Sequence, residues 1–265
     1  MRYYTKGFVL SALAVGLTFP LAQAQSVPGQ PSAAATELSA MLAPVAAAYE
    51  AVLAARIQSD ANAVNRFDYA GAKAQDADKI AAYIAYLEQQ TPSAMTAPEA
   101  TAYWANLYNA VTVKLILDNY PVKSIRRIGR PWKRKLVTVE GKVLTLDAIE
   151  HQILRKQFPS PYIHYMVNCA SIGCPNLQPK LWQASNLEAM QKTAAREFIN
   201  SPRGVSITPR GLKVSSIYKW FDEDFGGNKA SVLAHIAQYA EGDLAAAIDS
   251  GAKITGYGYD WTLNE

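Results

Sequence analysis

Cysteine and histidine are scarce in this chain of 265 residues, which contains two cysteines and three histidines. Two cysteines cannot build the disulfide scaffold that stabilises many small secreted domains. Zinc sites need Cys, His or carboxylate ligands at paired spacings, and Cys169 and Cys174 are followed by no second pair. A set made of both cysteines with His151 and His164 would have no recognised zinc spacing, so we expect no metal and no cofactor.

The chain also lacks an apolar run long enough to span a bilayer. Arg2 and Lys6 precede an apolar run over residues 7–21, and the small residues of 22-AQA-24 follow it. A transmembrane helix needs about 20 apolar residues, whereas a positive start, a short apolar run and a small-residue end are typical of a secretory signal. We expect cleavage near Ala24, a periplasmic or secreted mature protein, and no stable membrane insertion.

Charge of either sign is limited, at 18% of residues, and the net charge is +4. Removal of residues 1–24 leaves 24 basic and 22 acidic residues, so this balance gives no indication of a nucleic-acid partner. Half of the residues are apolar, which is enough for a core without disulfides. We expect a signal over residues 1–24, a flexible lead-in over 25–36 and one domain over 37–265.

Hydrophobic periodicity predicts helices over 38–59, 76–90, 96–120, 148–157, 187–200 and 231–247. It predicts short extended segments over 64–69 and 162–169 and hairpins over 135–146 and 204–214. Asp147 and Glu150 are spaced as a capping box for the fourth helix. The order of these elements predicts an α+β fold, with helices packed on a small, mostly antiparallel sheet.

The helix over residues 96–120 is apolar nearly all round, yet Glu99, Asn106 and Asn109 lie along one stripe of it. Buried amides and carboxylates must be hydrogen-bonded, since each unpaired group costs a few kcal/mol. The stripe therefore indicates either a structural polar network or one wall of a functional site.

Both cysteines lie in the stretch 164-HYMVNCASIGCPNL-177. Three interpretations are open: the cysteines form a disulfide, they are ligands of a metal site, or one of them is a reactive thiol. Cys169 follows a predicted strand and precedes small residues, whose free N–H groups could stabilise an oxyanion. On an extended strand His164 would lie roughly 17 Å from Cys169, at ~3.3 Å per residue. His151, on the preceding helix, has no such restriction as the base.

Several longer stretches together resemble the DUF547 family. They are 103-YWANLYNAVTVKLILDNYPVKSI-125, 132-WKRKLVTVEGKVLTLDAIEHQIL-154, 164-HYMVNCASIGCPNL-177, 218-YKWFDEDFG-226 and 259-YDWTLNE-265. Because intracellular members also carry both cysteines, the resemblance argues against a purely structural disulfide. It further implies a relation to papain-like or transglutaminase-like thiol hydrolases, with acid, histidine and cysteine in an unusual chain order.

We therefore expect a cysteine hydrolase or transferase for an amide, thioester or small peptide-like substrate, with Cys169 as nucleophile and His151 as base. Glu99 would orient the imidazole, and Glu150 competes for that role. The predicted substrate-binding residues are Asn106, Asn109, Asn168, His164 and Cys174. The alternative is a non-enzymatic module that binds a small peptide or a thiol such as glutathione, with the cysteines oxidised to each other.

Six positive charges fall within residues 126–135. Such a run is usually a solvated loop, and its functional alternative is an anion-binding rim for a carboxylate-bearing substrate or an anionic membrane surface.

Overall fold

A computed structural model describes residues 33–265, with side chains described from residue 44 onward. The predicted signal over residues 1–24 lies outside the described residues, as does the predicted lead-in as far as residue 32. The helix expected from Leu38 begins at Ala33, so residues 33–36 are helical. Residues Met41–Glu265 form one compact unit.

Ten helices and seven strands follow one another within residues 33–265. The helices are α1 (Ala33–Arg56), α2 (Tyr69–Gln75), α3 (Ala77–Glu88), α4 (Ala97–Asn119), α5 (Arg155–Gln157), α6 (Ile163–Met166), α7 (Leu187–Ile199), α8 (Ile217–Trp220), α9 (Lys229–Ala237) and α10 (Gly242–Asp249). The strands are β1 (Ile57–Ser59), β2 (Asn65–Phe67), β3 (Val137–Val139), β4 (Lys142–Leu144), β5 (Val205–Thr208), β6 (Gly211–Ser215) and β7 (Ile254–Gly258).

The strands form three small sheets, which confirms the α+β class and the mostly antiparallel pairing. β1 pairs with β2, and β3 pairs with β4, in both cases antiparallel. The third sheet has the order β5-β6-β7, and only its β6–β7 pair is parallel. The predicted hairpins over 135–146 and 204–214 are therefore confirmed, and β7 returns the C-terminal tail to the body of the protein.

Helix α4 is the centre of the fold, and its burial follows from its apolar surface. Its buried residues extend from Ala100 to Leu117 on all sides of the helix. Leu107 and Ile116 belong to one apolar cluster, built with α1, α3 and the β3–β4 hairpin, whereas Ala102 and Ala105 belong to a second. The small alanine side chains let the elements of the second cluster, among them α6 and α7, approach the α4 backbone.

Two predictions of local structure are wrong. The apolar run over residues 162–169 contains helix α6 (Ile163–Met166) rather than a strand, because a short apolar run fits either element and Pro161 suits a helix start. The capping box at Asp147 is absent: this residue has helical backbone angles, and Thr145 Oγ1 accepts the Ala148 N–H. A π-helical turn over Ala148–Leu154 leads from there into α5.

The predicted last helix over 231–247 is interrupted. It forms two helices, α9 and α10, which are separated by a break that ends at Gly242. Gly242 has a φ of 52°, a value that glycine adopts without steric strain.

Candidate functional site

A cavity of about 200 Å³, here called the thiol cavity, brings both cysteines and two of the three histidines together. Its walls are largely aromatic and come from distant parts of the chain: Tyr108, Trp132, Trp220, Phe221, Tyr259 and Trp261. Its polar lining consists of Asp147, Glu150, His151, His164, Cys169 and Cys174. An apolar cavity with a few convergent polar groups is the usual form of a ligand site.

The two thiols are free and form a single hydrogen-bonded unit. Cys169 Sγ and Cys174 Sγ are 2.6 Å apart, and the Tyr259 hydroxyl lies 3.1 Å from the first sulfur and 2.9 Å from the second. The backbone N–H of Cys169 donates to Cys174 Sγ at 3.0 Å. Cys169 is partly exposed and Cys174 is buried, so an entering ligand meets Cys169 first.

These contacts separate the acidities of the two thiols. The hydrogen bond to Cys174, followed by burial, raises the pKa of Cys169 well above its ordinary value. Burial alone would raise the pKa of Cys174, but hydrogen bonds from Cys169, Tyr259 and the backbone lower it below the ordinary value. The pair therefore loses its first proton readily and holds the second tightly, which is the behaviour of two coupled groups that share one proton.

The loop between the cysteines owes its shape to backbone hydrogen bonds. Ala170 has a φ of 59°, and its N–H donates to Asn168 Oδ1 at 2.8 Å. The N–H groups of Ile172 and Gly173 donate to the C-terminal tail, at the carbonyls of Thr262 and Asp260. These three N–H groups therefore have partners within the protein and are not free to bind an oxyanion in this structure.

Asn168 has no free group for a substrate either. Its Nδ2 donates to the Pro175 carbonyl at 2.7 Å, while its Oδ1 accepts from Ala170. The residue is buried and does not line the thiol cavity. In this structure its hydrogen bonds fix the loop that carries both thiols.

Asn106 and Asn109 also bond to the backbone in this structure. Asn106 brackets Trp182 by donating to its carbonyl and accepting from its N–H. Asn109 donates to the Met166 carbonyl at 2.9 Å and accepts from the Asn168 N–H at 2.8 Å. Neither residue lines the thiol cavity, so of the two interpretations of the polar stripe the structural network describes these amides.

His164 is held by a carboxylate that the sequence did not indicate, Asp224. His164 Nε2 lies 2.7 Å from Asp224 Oδ2, and Arg155 Nε lies 2.5 Å from the same oxygen. The imidazole also stacks on Phe221, with a centroid distance of 4.4 Å. Burial would raise the pKa of Asp224, but the bonds from His164 and Arg155 lower it to about 2, so the carboxylate stays charged at neutral pH.

His151 lines the same cavity from the π-helical turn. Its Nδ1 is buried without a hydrogen-bond partner and lies 3.9 Å from Glu150 Oε1, while its Nε2 lies 4.0 Å from Asp147 Oδ1. Within residues 44–265, no hydrogen bond joins an imidazole nitrogen to Cys169 or Cys174. The expected thiol–imidazole contact is therefore absent, although thiols and imidazoles share one cavity.

Glu99, the acid predicted to orient an imidazole, does not line this cavity. It is exposed at the start of α4, where its carboxylate accepts from the N–H and the hydroxyl of Thr96. This pair is a capping box, and its hydrogen bonds lower the pKa of Glu99. The competing candidate, Glu150, does line the cavity.

Replacing Glu99 with alanine should therefore affect stability but not thiol reactivity. Loss of the helix cap is expected to lower the free energy of unfolding by about 1 kcal/mol, and Tm by about 3 °C. The alkylation rate of Cys169 should stay within about twofold of the wild-type rate, because Glu99 contacts no cavity residue. A large loss of alkylation with an unchanged melt would return Glu99 to the site.

The third histidine, His235, does not line the cavity. It is buried, and its Nε2 lies 2.9 Å from the Tyr165 hydroxyl, so it has a polar partner that its sequence surroundings did not indicate. Burial, followed by the charge of His164, lowers the pKa of His235 to about 4, and it is neutral at physiological pH.

Sequence reasoning also left Tyr259, Trp261 and Asp224 without roles. All three lie in the quoted stretches 218-YKWFDEDFG-226 and 259-YDWTLNE-265, whose density of aromatic and acidic residues was the available signal. Within residues 44–265, no three His, Cys, Asp or Glu side chains are arranged to hold a metal ion. No helix in the described part of the chain is both long and apolar enough to cross a bilayer.

The model of one protein family, described as "Protein of unknown function, DUF547", matches residues 92–199. This match confirms the resemblance stated from the sequence. The matched range includes α4, the π-helical turn with His151, and the loop with Cys169 and Cys174, whereas Asp224 and Tyr259 lie beyond it. No curated protein and no solved structure matches the chain.

Proposed function

Since residues 92–199 of the chain belong to the DUF547 family, whose function is unknown, we propose an activity from the site itself. The protein is a cysteine-dependent hydrolase or transferase that acts on an amide, thioester or small peptide-like substrate. One observation carries the proposal: a pair of free thiols in direct contact lies in the same aromatic cavity as two imidazoles. A thiol, a proton acceptor and an oriented imidazole are the groups that covalent acyl transfer requires.

Cys169 is the nucleophile, because it is the exposed member of the pair. Its sulfur attacks the substrate carbonyl carbon, and its proton passes to Cys174 Sγ, 2.6 Å away, whose thiolate the Tyr259 hydroxyl stabilises. The carbonyl becomes a tetrahedral oxyanion and then collapses to an S-acyl cysteine as the leaving group departs. Attack by water or by an acceptor substrate on this thioester releases the product.

An imidazole supplies the proton that the leaving group needs and later accepts one from the incoming nucleophile. His164 is the better oriented of the two, because Asp224 holds its Nε2 at 2.7 Å, whereas the carboxylates nearest His151 are 3.9 and 4.0 Å away. We assign the acid–base role to the His164–Asp224 pair. His151, the base expected from the sequence, then contacts the substrate as part of the cavity lining.

The proposal extends to the compartment. The features of residues 1–24 support export, and cleavage near Ala24 would yield a mature chain that begins near Gln25. The intact mass of protein recovered from the periplasm tests this, and a full-length mass in the cytoplasmic fraction would contradict it.

Trapping of the acyl-enzyme tests the activity directly. Incubation with a simple aryl thioester, followed by an acid quench and peptide mass spectrometry, should give one acyl group on Cys169. Replacing His164 with glutamine should slow both formation and hydrolysis of this adduct by about 10²-fold or more, the usual contribution of a general acid–base group. A larger loss with His151→Gln than with His164→Gln would exchange the roles of the two imidazoles.

The second candidate is a non-enzymatic module for a small peptide or a thiol ligand. The absence of a thiol–imidazole hydrogen bond in the described residues favours it, as does the short distance between the sulfurs, which suits a disulfide. A free-thiol count on protein purified without reductant separates the two. Two free thiols per chain and an acyl adduct support the enzyme, whereas no free thiol and no effect of reductant support the binding module.

A further inference from the structure

The segment over residues 123–135 is strongly basic and contains no acidic residue to offset its charge. Acidic residues are absent from position 119 to position 139. The seven basic residues are Lys123, Arg126, Arg127, Arg130, Lys133, Arg134 and Lys135. Within residues 44–265 none of the seven forms a salt bridge, since the described ion pairs all involve other cations.

This segment is also part of the wall of the thiol cavity. Trp132 lies inside it and lines the cavity next to Trp261, with a centroid distance of 5.7 Å. Arg126 Cζ lies 5.2 Å above the centre of a Trp261 ring, a cation–π arrangement that holds the guanidinium beside the cavity. At least one of the seven cations, Arg126, therefore packs against a residue of the cavity wall.

A second pocket of about 480 Å³, here called the basic pocket, adjoins this wall. Lys123, Arg126 and Arg127 line it, together with the hydroxyl-bearing Ser124 and Thr262. Trp261 lines both pockets, so a single indole separates the cations from the thiol cavity. Asp260 is the one carboxylate among the described lining residues, and its Oδ1 accepts from the Thr262 N–H.

From this arrangement we infer that the basic pocket binds the anionic group, a carboxylate or a phosphate, of the acyl substrate that Cys169 attacks. Arginine recognises both anions through paired hydrogen bonds, and three unpaired cations exceed the single charge of Asp260. The inference rests on the proposed function and narrows its substrate to acyl compounds that carry a negative charge away from the scissile carbonyl. A recess that adjoins the thiol cavity favours a small anion over a membrane surface.

Two maleimides that differ only in charge test the inference. A thiolate adds across the maleimide double bond, the neighbouring carbon takes a proton from water, and nothing leaves. The probes are 6-maleimidohexanoate and its neutral methyl ester. The quantity compared is the rate constant of the carboxylate probe divided by that of the methyl ester. For Cys169 of the wild-type protein this ratio should exceed the ratio for free 2-mercaptoethanol by about tenfold, as expected for a charge-assisted hydrogen bond.

Replacing Arg126 and Arg127 with glutamine should bring this ratio down to that of 2-mercaptoethanol. Both probes react with the same variant, so a change in thiol reactivity that is common to both cancels in the ratio. Lys135→Gln is the matched control, because Lys135 is exposed in the same segment but does not line the basic pocket. It removes one charge and should keep most of the preference. If Lys135→Gln lowers the preference for the charged probe as much as the double variant does, the preference comes from the overall positive charge of the segment rather than from the basic pocket, and the inference is wrong.

A binding measurement keeps the inference separate from the proposed function. Tryptophan fluorescence should report binding of glutarate and of inorganic phosphate, titrated separately to distinguish the two anions, and the double variant should bind neither. If neither maleimide labels Cys169 but the anions bind, the proposed function fails and the pocket stands. If the neutral probe labels Cys169 and no anion binds, the inference about the basic pocket is wrong. Sedimentation of the wild type with anionic vesicles would not rescue it, because that result would indicate a membrane surface as the partner of the basic segment.

Discussion

Replacing Cys169 with serine is expected to abolish acyl transfer and labelling by electrophiles, while the thermal melt stays within about 2 °C of wild type. The sulfur is the atom that attacks, and removing a covalent nucleophile typically costs at least about 10³-fold in rate. Stability should hardly change, because the residue is partly exposed and serine is close to it in size. Single-turnover acylation with peptide mapping measures the loss.

Cys174→Ser is the matched variant, because it removes the other sulfur of the pair. Cys174, the thiol with the lowered pKa, is then gone, and the first ionisation of the site becomes that of Cys169, whose pKa burial raises. This first ionisation should therefore move to higher pH. Each unit of increase in that pKa lowers the thiolate fraction at neutral pH about tenfold. We therefore expect labelling of Cys169 to persist but to fall about tenfold at pH 7 and to recover at high pH.

The distribution of label in the wild-type protein decides between the two sulfurs. If the adduct forms on Cys174, and Cys174→Ser abolishes it, the nucleophile and the proton acceptor exchange roles. If both single variants keep the wild-type rate, neither sulfur depends on the other and the shared-proton description is wrong.

Replacing Asn109 with alanine is expected to lower the free energy of unfolding by about 3–4 kcal/mol, and Tm by roughly 10 °C. The change leaves the Met166 carbonyl and the Asn168 N–H unpaired in the interior, and each orphaned group costs about 1–3 kcal/mol. The two groups are in the segment that leads into Cys169, so thiol reactivity should become less specific as this segment loosens. Chemical denaturation and differential scanning calorimetry measure the loss.

Asn119→Ala, on the same helix, is the control for this variant. The Asn119 side chain is only partly buried and donates a single bond to the Leu115 carbonyl at the helix end, so the expected loss is below about 1 kcal/mol. If Asn109 binds substrate instead, Asn109→Ala should leave the thermal melt unchanged and raise KM.

The sequence predicted the helices and hairpins well because their hydrophobic periods are local. The apolar surface of the helix predicted over residues 96–120 located α4 within a few residues. The short apolar run before Cys169 was ambiguous, and its assignment decided where His164 was expected. An α-helix rises about 1.5 Å per residue, less than half the rise of a strand, so α6 keeps His164 near the cysteines.

Partners that are distant in sequence could not be predicted from periodicity. Asp224 is 60 residues from His164, and Tyr259 is 90 residues from Cys169. No local pattern records which carboxylate reaches which imidazole, so Glu99 was an equally reasonable candidate from the sequence. Its position on the stripe of α4 was correct, but the stripe bonds to backbone rather than to a ligand.

The sequence by itself determined the α+β class and the similarity of residues 92–199 to the DUF547 family. It also determined the set of residues that could carry chemistry: two thiols, three imidazoles and a basic segment. It did so because residue type and short-range hydrophobic periodicity can be determined from neighbouring residues alone. Only the tertiary structure decided which of them meet, since the thiol cavity is assembled from α4, the π-helical turn, the cysteine loop and the C-terminal tail. Whether a buried polar group binds a ligand or the backbone depends on which neighbours the fold brings within hydrogen-bonding distance.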